Sequence, residues 1–144
     1  MDDIDNSSVE TEEDPSFPFQ RMSGRDALLR DVFDNLCKLY SPSYICDIGA
    51  FNGDESYRFA QLIPDSTVVA FEGSPRNYQQ FYVESSRFAN LPNFRINHCA
   101  VTDYTGEITF NVLDAGDEGD WRRAANSIMA RTDGVQASAV TVPC

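Results

Sequence analysis

The sequence predicts an α/β fold in which a parallel sheet flanked by helices is followed by an antiparallel extension. Three observations lead there. Apolar runs at residues 44–46 and 67–71 lack the alternation of a half-exposed strand and suit strands covered on both faces of a parallel sheet. Segments with helical apolar spacing precede and separate them, so the order reads helix, strand, helix, strand, helix, strand. After residue 106 the pattern changes: Glu107-Ile108-Thr109-Phe110-Asn111-Val112 alternates cleanly, as an antiparallel strand with one wet face does.

Each element follows from local chemistry. Ser23 is a plausible N-cap with Asp26 three residues on, and Leu28, Leu29, Val32, Phe33, Leu36, Leu39 and Tyr40 form one apolar helical face that ends at Ser41-Pro42-Ser43. Tyr44-Ile45-Cys46 opens the first strand and runs into Asp47-Ile48-Gly49-Ala50-Phe51-Asn52-Gly53. A helix over residues 54–62 closes before Pro64, and residues 67–71 form the second strand, with Glu72 at its tip. Ser74 caps the next helix and Pro75 takes its first position; Tyr78, Phe81, Tyr82, Ser85 and Phe88 are its sheet-facing side. Residues 93–99 read as a third strand, giving two βαβ units expected to cross over right-handed. Asp103-Tyr104-Thr105-Gly106 is a turn, residues 114–124 a polar loop, and residues 137–142 a last strand.

Composition narrows the partners. The first fourteen residues hold seven acids and no Lys or Arg, leaving 16 of the 23 acids against all 11 bases, a net −5, for the remainder. Residues 1–20 therefore read as an acidic, disordered tail and residues 21–144 as a single domain. A body of that sign repels phosphate backbones, so no nucleic-acid partner is expected. No apolar stretch approaches the ~18 residues of a membrane span, and the acidic N-terminus is unlike a signal peptide. The four cysteines, Cys37, Cys46, Cys99 and Cys144, have no metal-ligand spacing; two of them, Cys46 of the Tyr44-Ile45-Cys46 run included, fall in apolar runs where a thiol packs as a small hydrophobe. Reduced thiols in a soluble, cytoplasmic protein are the expectation.

The chemistry concentrates in Asp47-x-Gly49-x-x-x-Gly53 after one strand and Glu72 at the end of the next. Glycines let a backbone turn tightly against a nucleotide, and an acid about 20 residues on can accept from both ribose hydroxyls. Such a charge-assisted bond is worth roughly 1.5–3 kcal/mol, so losing Glu72 predicts about ten- to a hundredfold weaker binding. Phe51 stands where a dinucleotide turn needs glycine, and Asp47 would repel a pyrophosphate. The cationic sulfonium and amino group of S-adenosylmethionine suit that setting better. A purely structural glycine turn is the bland alternative. His98 reads as a satisfied structural histidine, Asp114, Asp117, Glu118 and Asp120 as a solvated loop without cation-site spacing, and Trp121-Arg122-Arg123 as a loop anchored by its aromatic.

The ordered set DIGAFNGDES, VVAFEGSPRNYQQF, NHCAVTDYTGEITFNV and NSI resembles the FkbM-type methyltransferases over residues 44–142. The resemblance implies a Rossmann-like class I methyltransferase fold and S-adenosylmethionine-dependent O-methylation of a hydroxyl on a small molecule or glycan. It implies that Asp47, Gly49, Ala50 and Gly53 line the methionine and ribose end, that Glu72 takes the ribose, and that Gly73 and Ser74 lie near the adenine. The backbone at Cys99 and Ala100 would close over that ring. The family continues into a helix and a strand with an acidic pair, which this sequence lacks, so the fold is expected to be incomplete, with no assignable catalytic residue and no metal. The first strand would then keep a free edge, inviting self-association or a partner. A fragment of a nicotinamide-dinucleotide binder and an inactive, truncated interaction module remain the alternatives.

Overall fold

The structure, a computed structural model, describes residues 24–113, 125–129 and 136–144, with side chains from residue 27 onward. The expected tail over residues 1–20, the Ser23 cap, the acids at 114–120 and the Trp121-Arg122-Arg123 cluster lie outside the described residues. Helix α1 spans Gly24–Tyr40, strand β1 Tyr44–Ile48, helix α2 Asp54–Leu62, strand β2 Thr67–Phe71 and helix α3 Pro75–Tyr78. Strands β3 (Phe94–Asn97), β4 (Glu107–Leu113) and β5 (Ala137–Pro143) follow.

Strands β1, β2 and β3 pair in parallel in that order, with Ile45 beside Val68 and Val68 beside Phe94. The inward row is Ile45, Val68, Ala70 and Phe94; onto it pack Cys37 of α1 and Phe59, Ala60 and Ile63 around α2. Tyr82, Phe88 and Leu91 complete this layer. The helices are ordered as the strands are. Helix α2 meets α1 through Arg58–Asp34, Glu55–Arg30 and the Phe59–Phe33 ring contact, and on its other flank it meets the α3 region through Asp54–Arg87 and Tyr57–Phe88.

Two expectations need correction. The runs at β1 and β2 are not buried on both faces: their burial alternates, leaving Tyr44, Cys46 and Ile48 exposed, because among the described residues all helices cover one face of the sheet. The apolar run reported a parallel strand correctly but not what covers it. Cys46, expected inside, is accordingly exposed, whereas Cys37 is buried. The third helix is also shorter than its apolar spacing implied. Past Tyr78 it widens into a π-helical turn, Gln79–Val83, closed by Glu84 N–H donating to Gln79 O at 3.0 Å. That wider turn sets the Tyr82 ring over Phe88 and Phe94 while its hydroxyl donates to Ala50 O at 3.2 Å.

Strands β4 and β5 form a separate antiparallel pair, from Glu107 opposite Pro143 to Leu113 opposite Ala137. Their alternation buries Phe110 and Val142 with Ala100 in a second small core. One backbone bond, Ala100 N–H to Pro143 O at 2.9 Å, ties this pair to the end of β3.

Candidate functional site

The turn after β1 is shaped by three residues with left-handed backbone: Gly49 (φ 77°), Phe51 (φ 46°) and Gly53 (φ 76°). Glycine adopts this region freely, but a phenylalanine there is strained by roughly 1–3 kcal/mol and needs outside support. Glu72 supplies it. Its Oε2 accepts from Phe51 N–H at 2.7 Å, and both Gly49 and Ala50 N–H donate to Phe71 O at 2.9 and 3.0 Å. The tip of β2 therefore organises the turn after β1, across the parallel register that puts Ile48 beside Phe71.

Glu72 is only 4% exposed. Its Oε1 accepts from Ser74 N–H at 2.8 Å and from Asn77 Nδ2 at 3.3 Å. Burial pushes its carboxyl pKa above the ordinary value; the bonds from Ser74, Phe51 and Asn77 oppose that rise, and the neighbouring Asp47 charge adds to it. A carboxylate has about four acceptor positions. Among the described residues, donors from Phe51, Ser74 and Asn77 occupy three of them, and one on Oε2 is left.

A cleft of about 180 Å³ opens beside this carboxylate, lined by Gly49, Glu72, Gly73, Cys99 and Ala100 among others. All five are candidates in the sequence, and the fold gathers them at the C-terminal ends of the parallel strands, where open α/β sheets bind ligands. A side chain at Gly49 would meet nothing within 4 Å, so the turn leaves space there. At Gly73 a Cβ would stand 2.9 Å from Phe110 Cε2, so that glycine lets the β4 aromatic close on the strand end.

The other four candidates do not line the cleft. Asp47 Oδ2 instead accepts from the fully buried Ser56 hydroxyl at 2.6 Å, tying β1 to α2. Ala50 is buried and used through its backbone, toward Phe71 and Tyr82. Gly53 lies under Phe88 and Tyr82, where a Cβ would come within 2.5 Å of Phe88 Cζ. Ser74 is the buried N-cap of α3, accepting from Asn77 N–H at 3.4 Å. Their spacing marks the turn, but spacing does not distinguish a residue that lines the cleft from one that packs behind it.

Sequence reasoning did not select Ile48, Phe71, Val101, Phe110, Asn126 and Ile128, which complete the lining. Asn126 and Ile128 arrive through the segment 125–129. Asn111 and Ser127 exchange backbone bonds of 2.7 and 3.1 Å, and Leu113 N–H donates to Asn126 Oδ1 at 2.9 Å. The quoted motif NSI was the only sequence signal for this wall. His98 differs from its expectation. Its ring stacks on Tyr78 at 4.4 Å and one nitrogen bonds the Gly73 backbone, yet Nε2 is buried with no partner. Burial lowers its pKa and the Gly73 bond opposes this, so a neutral ring with Nδ1–H on the Gly73 carbonyl fits best.

Among the described residues no group of three or more His, Cys, Asp or Glu could hold a metal ion, and no helix is long and apolar enough to cross a membrane. The arrangement is a buried, hydrogen-bonded carboxylate beside a glycine turn at the mouth of an apolar cleft. Comparisons of the chain with protein-family models, with curated proteins and with solved structures found no match.

Proposed function

We propose that this chain binds S-adenosylmethionine in the cleft beside Glu72, as the nucleotide-binding part of a methyltransferase-like protein. The observation that carries the reading is the convergence of Glu72 Oε2 with the Gly49–Phe51 turn: one acceptor position remains open on a carboxylate facing the cleft. That position suits a ribose hydroxyl. Taking both hydroxyls requires one protein donor, Phe51 N–H or Asn77 Nδ2, to yield its place. Gly73, Cys99 and Ala100 would border the base, and Phe110 and Ile128 would exclude water from it. The cleft is smaller than the ~300–1,000 Å³ of whole-ligand pockets, which fits a nucleoside with the remainder of the cofactor lying outside it.

A dinucleotide fits less well. The first turn of α2 carries Asp54 and Glu55, and Asp47 stands one strand residue away from the turn, so a pyrophosphate would meet acids where it needs N–H donors. When bound, the sulfonium cofactor supplies a transferable methyl group; the resemblance makes a small-molecule or glycan hydroxyl the proposed acceptor. Aligning donor and acceptor is the larger part of such catalysis, and no residue described here is assigned to proton removal.

Calorimetric titration of the full chain with S-adenosylhomocysteine tests the reading. Replacing Glu72 by Ala would strip acceptors from three donors and risk the fold. Val101→Trp, which fills the cleft from an exposed position, provides the second variant. Saturable binding, weakened tenfold or more by Val101→Trp with unchanged circular dichroism, supports the proposal. Folded protein that binds nothing refutes it, and binding of a nicotinamide dinucleotide in its place selects the alternative.

A further inference from the structure

The cleft has two side chains able to make strong hydrogen bonds, and they come from different sheets. Glu72, at the tip of β2, faces it with an acceptor. Asn126, in the segment beside β4, is the one side chain of the lining that carries N–H donors. That segment is firmly attached. Asn111 and Ser127 form an antiparallel bridge, and Asn111 Nδ2 donates to Ser127 O at 3.2 Å and to Met129 O at 3.1 Å. Met129 N–H in turn donates to Ser127 Oγ at 3.0 Å. Asn126 and Ile128 flank the bridge, and both reach the cleft. The bond from Leu113 N–H to Asn126 Oδ1, 2.9 Å, then orients the amide. A backbone N–H can bond only the amide oxygen, so the other branch is Nδ2. Among the described residues Nδ2 has no hydrogen-bond partner, and it is not buried. The protein thus uses the acceptor of this amide and leaves its N–H groups open at the cleft wall.

We propose that Asn126 selects the base of the ligand, donating from Nδ2 to an unprotonated ring nitrogen of adenine. This rests on the reading that the cleft takes the nucleoside of S-adenosylmethionine. On that reading the ribose goes to Glu72, and the base lies by Gly73, Cys99 and Ala100 under Phe110 and Ile128. Asn126 is two residues from Ile128, which puts the amide at the base end. Its chemistry then restricts the base. A fixed donor needs an acceptor, and adenine offers its ring nitrogens N1, N3 and N7; its amino group is itself a donor and does not match Nδ2. Backbone donors of the lining are already engaged: Gly49 N–H with Phe71 O, Glu72 N–H with Asn97 O, and Ala100 N–H with Pro143 O. The ribose contact at Glu72 is common to all nucleosides, so it cannot choose among bases. A base without an acceptor at this place leaves Nδ2 unpaired beside apolar Phe110 and Ile128, where water is excluded. An unmade hydrogen bond of that kind is a strong means of rejecting a wrong ligand.

Asn126→Asp isolates the donor. The aspartate keeps an oxygen for Leu113 N–H and puts a second acceptor where Nδ2 stood, so circular dichroism should not change. The full chain and this variant are titrated calorimetrically with S-adenosylhomocysteine and with three analogues in which N1, N3 or N7 of the adenine is replaced by CH. The analogues alter the ligand and leave the protein intact, so the test does not depend on the fold of the variant. One analogue should bind the parent chain about tenfold more weakly than S-adenosylhomocysteine, the upper end for a single neutral hydrogen bond. Asn126→Asp should bind S-adenosylhomocysteine about tenfold more weakly and should not distinguish it from that same analogue. Affinity of Asn126→Asp within twofold of the parent overturns the proposal and leaves the cofactor reading standing. So does a parent chain indifferent to all three replacements, or an analogue penalty of equal size in both proteins. A folded parent chain that binds none of these ligands overturns both.

Discussion

Gly53 and Gly49 have the same backbone conformation and different surroundings, which makes them a matched pair for separating strain from collision. Both have φ near +76°, so an alanine at either pays about 1–2 kcal/mol for the left-handed region. At Gly49 that is the whole cost, because a Cβ meets nothing within 4 Å. At Gly53 the Cβ would stand 2.5 Å from Phe88 Cζ and 2.9 Å from the Tyr82 hydroxyl oxygen. Phe88 cannot swing away cheaply, since it stacks on Tyr82 at 5.2 Å and on Phe94 at 4.3 Å. Overpacking of this kind adds about 1–3 kcal/mol. Gly53→Ala should therefore cost about 2–5 kcal/mol and Gly49→Ala about 1–2 kcal/mol, against a total stability on the order of 5–15 kcal/mol. Urea unfolding followed by far-ultraviolet circular dichroism reads both, and the m-value should not change. Equal effects, within about 0.5 kcal/mol, would mean that the turn does not rest on the Phe88–Tyr82 stack, and the account of Gly53 as a packing residue would fail.

Ser56→Ala removes the buried donor to Asp47 and should lower stability by about 1–2 kcal/mol in the same assay; no change would show that Asp47 is satisfied by water. Burial lowers the His98 pKa, so the folded protein takes up a proton less readily than the unfolded chain, where histidine titrates near ~6.5. The stability this contributes is fully present above that pH and is lost as pH falls through the folded pKa. His98→Phe should consequently lose less stability between neutral and mildly acidic pH than the parent, and parallel profiles would count against the neutral buried ring. Because the Glu72 carboxyl is pushed upward by burial and its ionised form is the stronger, charge-assisted acceptor for a ribose hydroxyl, affinity for S-adenosylhomocysteine should begin to fall at a pH above the ordinary glutamate value of ~4.3. Constant affinity down to that value would dissociate Glu72 from the ligand.

Local signals were legible wherever a residue's own chemistry set its conformation. Ser74-Pro75 started α3, Pro64 followed the end of α2, and clean alternation marked β4 as a strand with two unlike faces. The glycine turn was legible for the same reason, since left-handed backbone favours few residues, and Gly49 and Gly53 adopt it. Phe51 at φ 46° was not legible, because the Glu72 carboxylate that stabilises it comes from the next strand. Nor was the π-helical turn, which serves a contact between Tyr82 and Ala50, 32 residues apart.

By itself the sequence determined the element order, the parallel character of the first three strands, the antiparallel character of β4, and the pairing of a glycine turn with an acid at the next strand's tip. Those properties depend on periodicity and on single-residue backbone preferences, which are carried along the chain. Only the tertiary structure decided that Glu72 is buried and holds three protein donors among the described residues, that Asp47, Ala50, Gly53 and Ser74 do not line the cleft, and that Asn126 and Ile128 do. It also decided which apolar residues stay outside: Cys46 and the Leu28–Leu39 stripe have the same hydrophobicity as their buried neighbours. Burial is a property of what comes to lie against a side chain, and that is set by long-range packing rather than by the residue itself.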